Sequence, residues 1–380
     1  MNLRMVRPPT EAEVTLLWAA ARLRSDPDEV AGATHDADVP YVLEAAERQR
    51  VAPLVLRSLG EAGLEVDPAS DAVRRARLWE AHAHLALPAA AAATLEPLNA
   101  AGLKPLVLKG LALVERYPAL GLRPMDDIDV LLPRPLAHTA IRVLRRSGWH
   151  RAVHRGVDPG YDLIFRHDDV PGVPLELHYE LARWQERPKG LDARRLWAGR
   201  IPIEVLGRPA WGLRPELELL TLIAHAAKRF HLFNRLLWAV DFTVVASTPT
   251  FDWDAFARLA RGAHCRIAAA VGLRLARRLG ADVPDDVLTL PPILARAGAV
   301  DTLLDPARPF SVRAVRQRRI AYVLIDDAAG KLRLAAGDLM RPPSGQPRSK
   351  VAGLIVRTLN RSASRLARAG LGRSGARPGA

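Results

Sequence analysis

Three aspartates, Asp126, Asp127 and Asp129, crowd the start of an apolar run in "LVLKGLALVERYPALGLRPMDDIDVLL", residues 106–132, and a Lys-Gly turn at Lys109 and Gly110 precedes them. Side chains two apart in a strand share a face, so Asp127 and Asp129 project together while Ile128 and Val130 turn into the packing behind them. Two neighbouring carboxylates repel and lose hydration when buried, so something cationic must compensate. Lys109 or Arg123 could neutralise part of the charge. A hard divalent ion could do the same, since Mg²⁺ takes oxygen ligands from one or two carboxylates and completes its shell with water and phosphate. A second apolar run, "VPLELHYEL", sets Glu176 between Leu175 and Leu177, with His178 two residues later on the same face. Three carboxylates on neighbouring strands would hold two such ions, an arrangement that activates an attacking hydroxyl and stabilises the leaving oxygen of a phosphoryl displacement.

The pattern of the chain says which elements must position these groups. Apolar residues recur at helical spacing over 10–24, 40–60 and about 69–101. The pattern then changes: "KPLVLKG" reads as a short strand ending in a turn, "LALVERY" as a short helix and "DIDVLL" as a second strand stopped by Pro133. "PLAHTAIRVLRRSGW" returns to helix, "YDLIFRH" and "VPLELHYEL" read as strands, and "IPIEVLGRPAWGL" as a hairpin turned at Gly207. From Pro215 the runs "ELELLTLIAHAAKRF", "NRLLWAVDFTVVAS" and "WDAFARLARGAHCRIAAAVGLRLARRLG" are helical again. The expectation is an α+β protein: a helical region over 1–100, a small mixed-sheet core over 101–213, a helical region over 214–305, and a helical segment with a basic, flexible tail over 306–380.

Composition bounds the function classes. With 380 residues, 49% of them hydrophobic, the chain can bury a substantial core. Its single cysteine, Cys265, excludes an internal disulfide framework and a cysteine-rich zinc cluster, and a reducing cytoplasm is the expected compartment. The first residues carry no apolar signal-peptide core, and Pro88 interrupts the alanine-rich "LALPAAAAATL", so neither a signal peptide nor a membrane span is expected. The net charge of +14 is uneven: residues 341–380 hold nine Lys or Arg and no acid, leaving 46 basic against 41 acidic residues before them. Such a tail is either solvated or a handle for an acidic partner, and "KVAGLIVRTLNRSASRLARAG" within it has the pattern of one amphipathic helix.

Other motif classes lack their anchors. There is no Gly-x-Gly-x-x-Gly or Gly-x-x-x-x-Gly-Lys-Ser/Thr near a strand and no Gly-x-Ser-x-Gly elbow, and Cys265 sits in a helical run. An aspartyl-phosphatase reading of Asp-x-Asp fails at Leu131, where a hydroxyl residue would follow, and a glycosyltransferase reading leaves Glu176 and the Lys-Gly turn unexplained.

The order of Lys-Gly turn, short helix, Asp-x-Asp strand and a later carboxylate strand resembles the DNA polymerase beta-like nucleotidyltransferase superfamily. More closely, "LVLKGLAL", "LRPMDDIDVLL", "LELHYEL" and "LTLIAHAAKRF…LLWAVDF", spread over roughly 40–290, are similar to a largely uncharacterised bacterial family of nucleotidyltransferases. That resemblance implies a metal-dependent transfer of a nucleotidyl group from a nucleoside triphosphate to an acceptor hydroxyl, with two Mg²⁺ ions as cofactors. It makes Asp127 and Asp129 the metal pair and Glu176 the third carboxylate, as ligand or as base, with Asp126 outside the pair. Lys109 and Gly110 would meet the phosphates, although the superfamily's turn is Gly-Gly or Gly-Ser and here Leu111 follows. Arg123 would either grip phosphate bidentately or pair with Asp126; His178, His225, Lys228, Trp238 and Asp241 would be supporting residues. The alternative is a binding or accessory protein that keeps the fold with altered chemistry and holds an acidic partner through its tail.

Overall fold

Short polar residues open the helices that precede the sheet, because their side chains satisfy backbone N–H groups that a helix start leaves unpaired. Thr10 does this for α1 (Glu11–Ala20), Asp26 for α2 (Pro27–Thr34) and Asp38 for α3 (Val39–Arg48). Next comes α4 (Ala52–Glu61), entered through a proline in its first turn, and then the long α5 (Asp71–Ala100), capped by Ser70. The helical pattern over 40–60 is therefore two helices, broken where Arg50 takes a left-handed φ of 63°. The computed structural model of the chain describes residues 7–152, 162–170, 172–181, 188–228, 231–288, 302–310, 323–326 and 328–339.

The sheet region follows in the order β1 (Leu106–Leu108), α6 (Lys109–Leu113), β2 (Ile128–Leu131), α7 (Arg134–Arg146), β3 (Trp149–Arg151), β4 (Asp162–His167), β5 (Leu175–His178), α8 (Ala193–Ala198), β6 (Arg200–Val205) and β7 (Arg208–Leu213). Among the described residues the strands form one seven-stranded mixed sheet, β3-β4-β5-β2-β1-β7-β6, so the protein is α+β. The pairs β1–β2, β3–β4, β4–β5 and β6–β7 are antiparallel; β2–β5 and β1–β7 are parallel. The β6–β7 hairpin turns on Leu206 and Gly207, both left-handed at φ 48° and 74°, the backbone twist that suits a two-residue turn.

Alternation gives the sheet two unlike faces. Val107, Ile128, Val130, Leu175, Leu177, Phe165 and Trp149 join Leu87, Ala91, Leu95 and Leu98 of α5 and Ala140 and Leu144 of α7 in one buried cluster. The other face receives Asp129, Glu176, His178 and Asp162.

After the sheet come α9 (Pro215–Ala226), α10 (Leu236–Ala246), α11 (Trp253–Gly262) and α12 (Arg266–Arg278). Nearly every residue of α9 and α10 is buried, as expected of helices that are apolar all round. The single helical run read over 253–280 is divided at His264, whose φ is 55°. Distant residues anchor α10 at two points. Gln49 accepts the Leu236 N–H through Oε1 at 2.8 Å and the Leu237 N–H through its carbonyl at 3.2 Å, satisfying the helix start. Further along, Asp241 accepts from Arg123 Nε at 2.8 Å, Arg123 Nη2 at 2.7 Å and the Tyr117 hydroxyl at 2.7 Å.

Contacts divide the chain into two units, 1–327 and 328–380; α13 (Ala328–Leu339) is the described part of the second. The basic stretch 341–380, with the amphipathic pattern read inside it, lies outside the described residues. Among the described residues no helix is long and apolar enough to cross a membrane.

The Asp241 clamp makes a stability prediction. Asp241→Ala strands a buried guanidinium, so unfolding in denaturant at neutral pH should show a loss of about 3–5 kcal/mol, the cost of breaking a buried pair from one side.

Candidate active site

Strand register assembles the site. Asp129 on β2 stands opposite Glu176 on its parallel neighbour β5, Leu131 opposite His178, and Leu108 of β1 opposite Asp129 from the other side. Lys109, the residue after β1, takes a left-handed φ of 51°, unusual for a side chain with a Cβ. Its ammonium donates to Asp129 Oδ1 at 2.5 Å. His178 Nε2 donates to the same oxygen at 2.6 Å and lies 3.3 Å from Glu176 Oε2. One donor atom each from Asp129, Glu176 and His178 lies within 4.8 Å of the others, a spacing that could hold a metal ion. Asp129 is 2% exposed, whereas the Glu176 side chain keeps 22% of its surface open.

The charges explain one another. Burial would push the Asp129 carboxyl up, but the Lys109 ammonium and the His178 imidazole outweigh it and hold the group well below the usual carboxylate range. Burial works against the Lys109 ammonium too, yet Asp129, Asp127 and Glu176 raise it above an ordinary lysine. For His178 burial is likewise overcome, by its bonds to Asp129 and Glu176, and the ring holds its proton more tightly than a free histidine. Asp127 is different: burial, then repulsion from Asp129, pushes it up to about 7. It precedes β2, is half-buried and does not belong to the group within 4.8 Å.

A family model described as "Uncharacterised nucleotidyltransferase" matches residues 35–281, a span that takes in the sheet, this cluster and the helices on both sides. The chain belongs to this nucleotidyltransferase family. Comparison with curated proteins and with solved structures returned no match.

In this family member several of the residues singled out from the sequence meet and others do different work. Lys109, Asp129, Glu176 and His178 converge, with Asp127 at the edge. Arg123 does not pair with Asp126: it is buried, and its Nε and Nη2 both bond Asp241. The exposed Asp126 pairs with Arg50 instead, and with Arg235 at 3.6 Å. Gly110 leaves room for Arg123 and Met125 beside α6, since a Cβ there would lie 2.5 Å from Arg123 Nη1 and 2.7 Å from Met125 Sδ. Asp241 supports from behind as the anchor of Arg123. Lys228, just past the end of α9, donates to the Leu181 carbonyl at 2.9 Å. The His225 ring lies 4.5 Å from His231 and 5.8 Å from Trp238, centre to centre; burial and the nearby charges of Lys109 and Lys228 keep it neutral far below the ordinary range.

Sequence reasoning passed over Asp162 and His231. Asp162 is the first residue of β4 and the direct partner of His178 across the strands. The signal that drew attention to Glu176, an acid entering an apolar run, was present in "YDLIFRH" as well. His231 had no such signal; its Nδ1 bonds the His225 carbonyl of α9 at 3.0 Å.

Crowded acids make the site sensitive to pH. Asp127 at about 7 and Glu218, raised by burial to about 7 despite its ion pair with Arg116, both hold protons in the folded chain that the unfolded chain has released. Each of these two acids therefore contributes stability that is lost as pH rises from about 4 to 7, while His225 and His231, kept neutral in the folded chain, contribute in the opposite sense over the same window. In buffer free of divalent ions, thermal melts should show Asp127→Asn gaining on the wild type as pH rises across this range, with Glu218→Gln gaining separately.

Proposed function

We propose that the protein moves a nucleotidyl group from a nucleoside triphosphate to an acceptor hydroxyl and releases pyrophosphate, using Asp127, Asp129 and Glu176 with His178 and Lys109. The observation that carries this reading is the register that sets Asp129 beside Glu176 on parallel neighbours while Lys109 and His178 share one Asp129 oxygen.

The donor set fits a divalent cation. The Asp129 and Glu176 carboxylates lie within 4.8 Å of each other, and Asp127 adds a further carboxylate from the edge, its proton affinity raised by burial and then by repulsion from Asp129. Such oxygen donors suit Mg²⁺ or Mn²⁺. Bound there, one or two such ions would neutralise charge on the phosphates and lower the barrier to attack.

The chain's own residues then divide the work. Asp129 and Glu176, with Asp127, hold the cation, and His178 fixes the orientation of Asp129 through its Nε2–H. Lys109 stands at the turn after β1, where its ammonium can serve triphosphate oxygens as a point charge. Arg123 holds that turn from beneath, through its contact at Gly110 and its bonds to Asp241. The acceptor oxygen forms its bond to the α-phosphorus as the bond to pyrophosphate breaks on the opposite side. The hydroxyl proton passes to Glu176, the most open of the three clustered groups, and pyrophosphate leaves with the bonding electrons. His225, packed edge-on against Trp238, and Lys228 lie close enough for their charges to couple to the cluster, His225 with Lys109 and His178, and Lys228 with Asp162.

The test is a screen of the four ribonucleoside triphosphates with Mg²⁺ or Mn²⁺ against pooled hydroxyl acceptors, reading pyrophosphate. At least one triphosphate should stabilise the protein only with the metal and support turnover. Asp129→Asn and Glu176→Gln should each lower turnover about a hundredfold or more, the scale of lost electrostatic stabilisation at a reacting phosphate. Turnover that survives both substitutions would reject the assignment.

A further inference from the structure

The Asp129 cluster leaves one carboxylate on the same face of the sheet without a role. Asp162 opens β4, directly across from His178, and Ile164, two residues on, stands across from Glu176. Residues two apart in a strand share a face, so Asp162 lies on the face that carries Glu176, His178 and Asp129, while Leu163 and Phe165 join the core behind. Asp162 is 5% exposed, and its Oδ1 is buried without a hydrogen-bond partner among the described residues. A buried carboxylate oxygen left open costs stability, so its retention calls for a ligand that completes it.

Strand order says from which side that ligand comes. The sequence of strands is β1, β2, β5, β4, so the Lys109 turn and Asp162 lie on opposite sides of the Asp129–Glu176 pair. An in-line displacement puts leaving group and attacking oxygen on opposite sides of phosphorus. If the phosphates occupy the Lys109 side, Asp162 faces the acceptor.

We propose that Asp162 binds the acceptor by taking a hydrogen bond from a second donor group, a hydroxyl or an ammonium, next to the hydroxyl that attacks. This rests on the transferase reading above and adds to it the class of acceptor: a polyol or an amino alcohol, not a simple alcohol and not an anion. A second donor is what the open Oδ1 selects, since an acceptor lacking it would leave the oxygen buried and unpaired.

The experiment uses the full chain with Mg²⁺ and the triphosphate that gives turnover, and three acceptor probes: 1-propanol, 1,2-propanediol and 2-aminoethanol. The wild type should favour the diol or the amino alcohol over propanol by about tenfold or more in kcat/KM, the scale of one hydrogen bond to a charged group. Asp162→Ala should erase that preference while leaving the stabilisation by metal and triphosphate unchanged. Asp162→Asn keeps an accepting oxygen without the charge, so it should retain part of a diol preference and lose an ammonium preference. Neither variant should melt below the wild type, because each removes an unpaired buried carboxylate; a lower melting temperature would mean a structural role and overturn the proposal. It is equally overturned by an Ala variant that keeps the preference or loses triphosphate binding, or by a wild type active on pooled acceptors that uses the three probes equally or not at all. Absence of pyrophosphate release with any triphosphate and acceptor would instead remove the transferase reading, and this inference with it.

Discussion

Asp129 carries a full negative charge into the middle of a seven-stranded sheet, where burial alone would force it to take up a proton. It stays ionised because Lys109 and His178 both donate to the same oxygen. Both donors are delivered by strand pairing: β1 runs antiparallel beside β2 and ends just before Lys109, and β5 runs parallel on the other side with His178 two pairs beyond Glu176. A slip of one residue in either pairing would turn His178 or Asp129 into the apolar layer formed with α5 and α7. The charge balance of the site and the register of the sheet are therefore one constraint seen from two sides.

The parts of the chain outside the sheet hold that constraint in place. The backbone at Lys109 is left-handed, and a strained residue of this kind persists only where its surroundings over-determine it. Here Gly110 packs under Arg123 and Met125, Arg123 is gripped by Asp241 of α10, and Gln49 from the end of α3 holds the start of the same helix. The turn next to the cluster is thus fastened to helices from both ends of the family's matched span, 35–281. A nucleotidyltransferase needs little covalent participation from its side chains; positioning and charge neutralisation do most of the work, and both ask for rigidity of this kind.

Much of the candidate site was legible because polar residues inside apolar runs are costly and therefore informative. Asp129 and Glu176 stood out on that ground, and the same logic covers Asp162, which was passed over because it begins its run instead of interrupting it. The role of Arg123 was misread. Proximity in sequence favoured Asp126, but Asp126 is exposed and meets Arg50 and Arg235, while the buried guanidinium found a partner on α10, 118 positions away. Helix breaks at Arg50 and His264 were equally hidden, since neither residue type announces a left-handed backbone. Short elements such as α2, β3 and α8 carry too few residues for periodicity to register.

Taken by itself, the sequence determined the alternation of helical and strand segments, the α+β class and the acids that had to be compensated, because these depend on local spacing and on the cost of burying charge. Only the tertiary structure decided who compensates whom. It brought His178 into the cluster, left Asp127 at its edge, gave Arg123 to Asp241 and set Asp162 across from His178. Those outcomes depend on strand order and on contacts between residues far apart in the chain, and an electrostatic partnership is settled by distance in space, which local spacing does not encode.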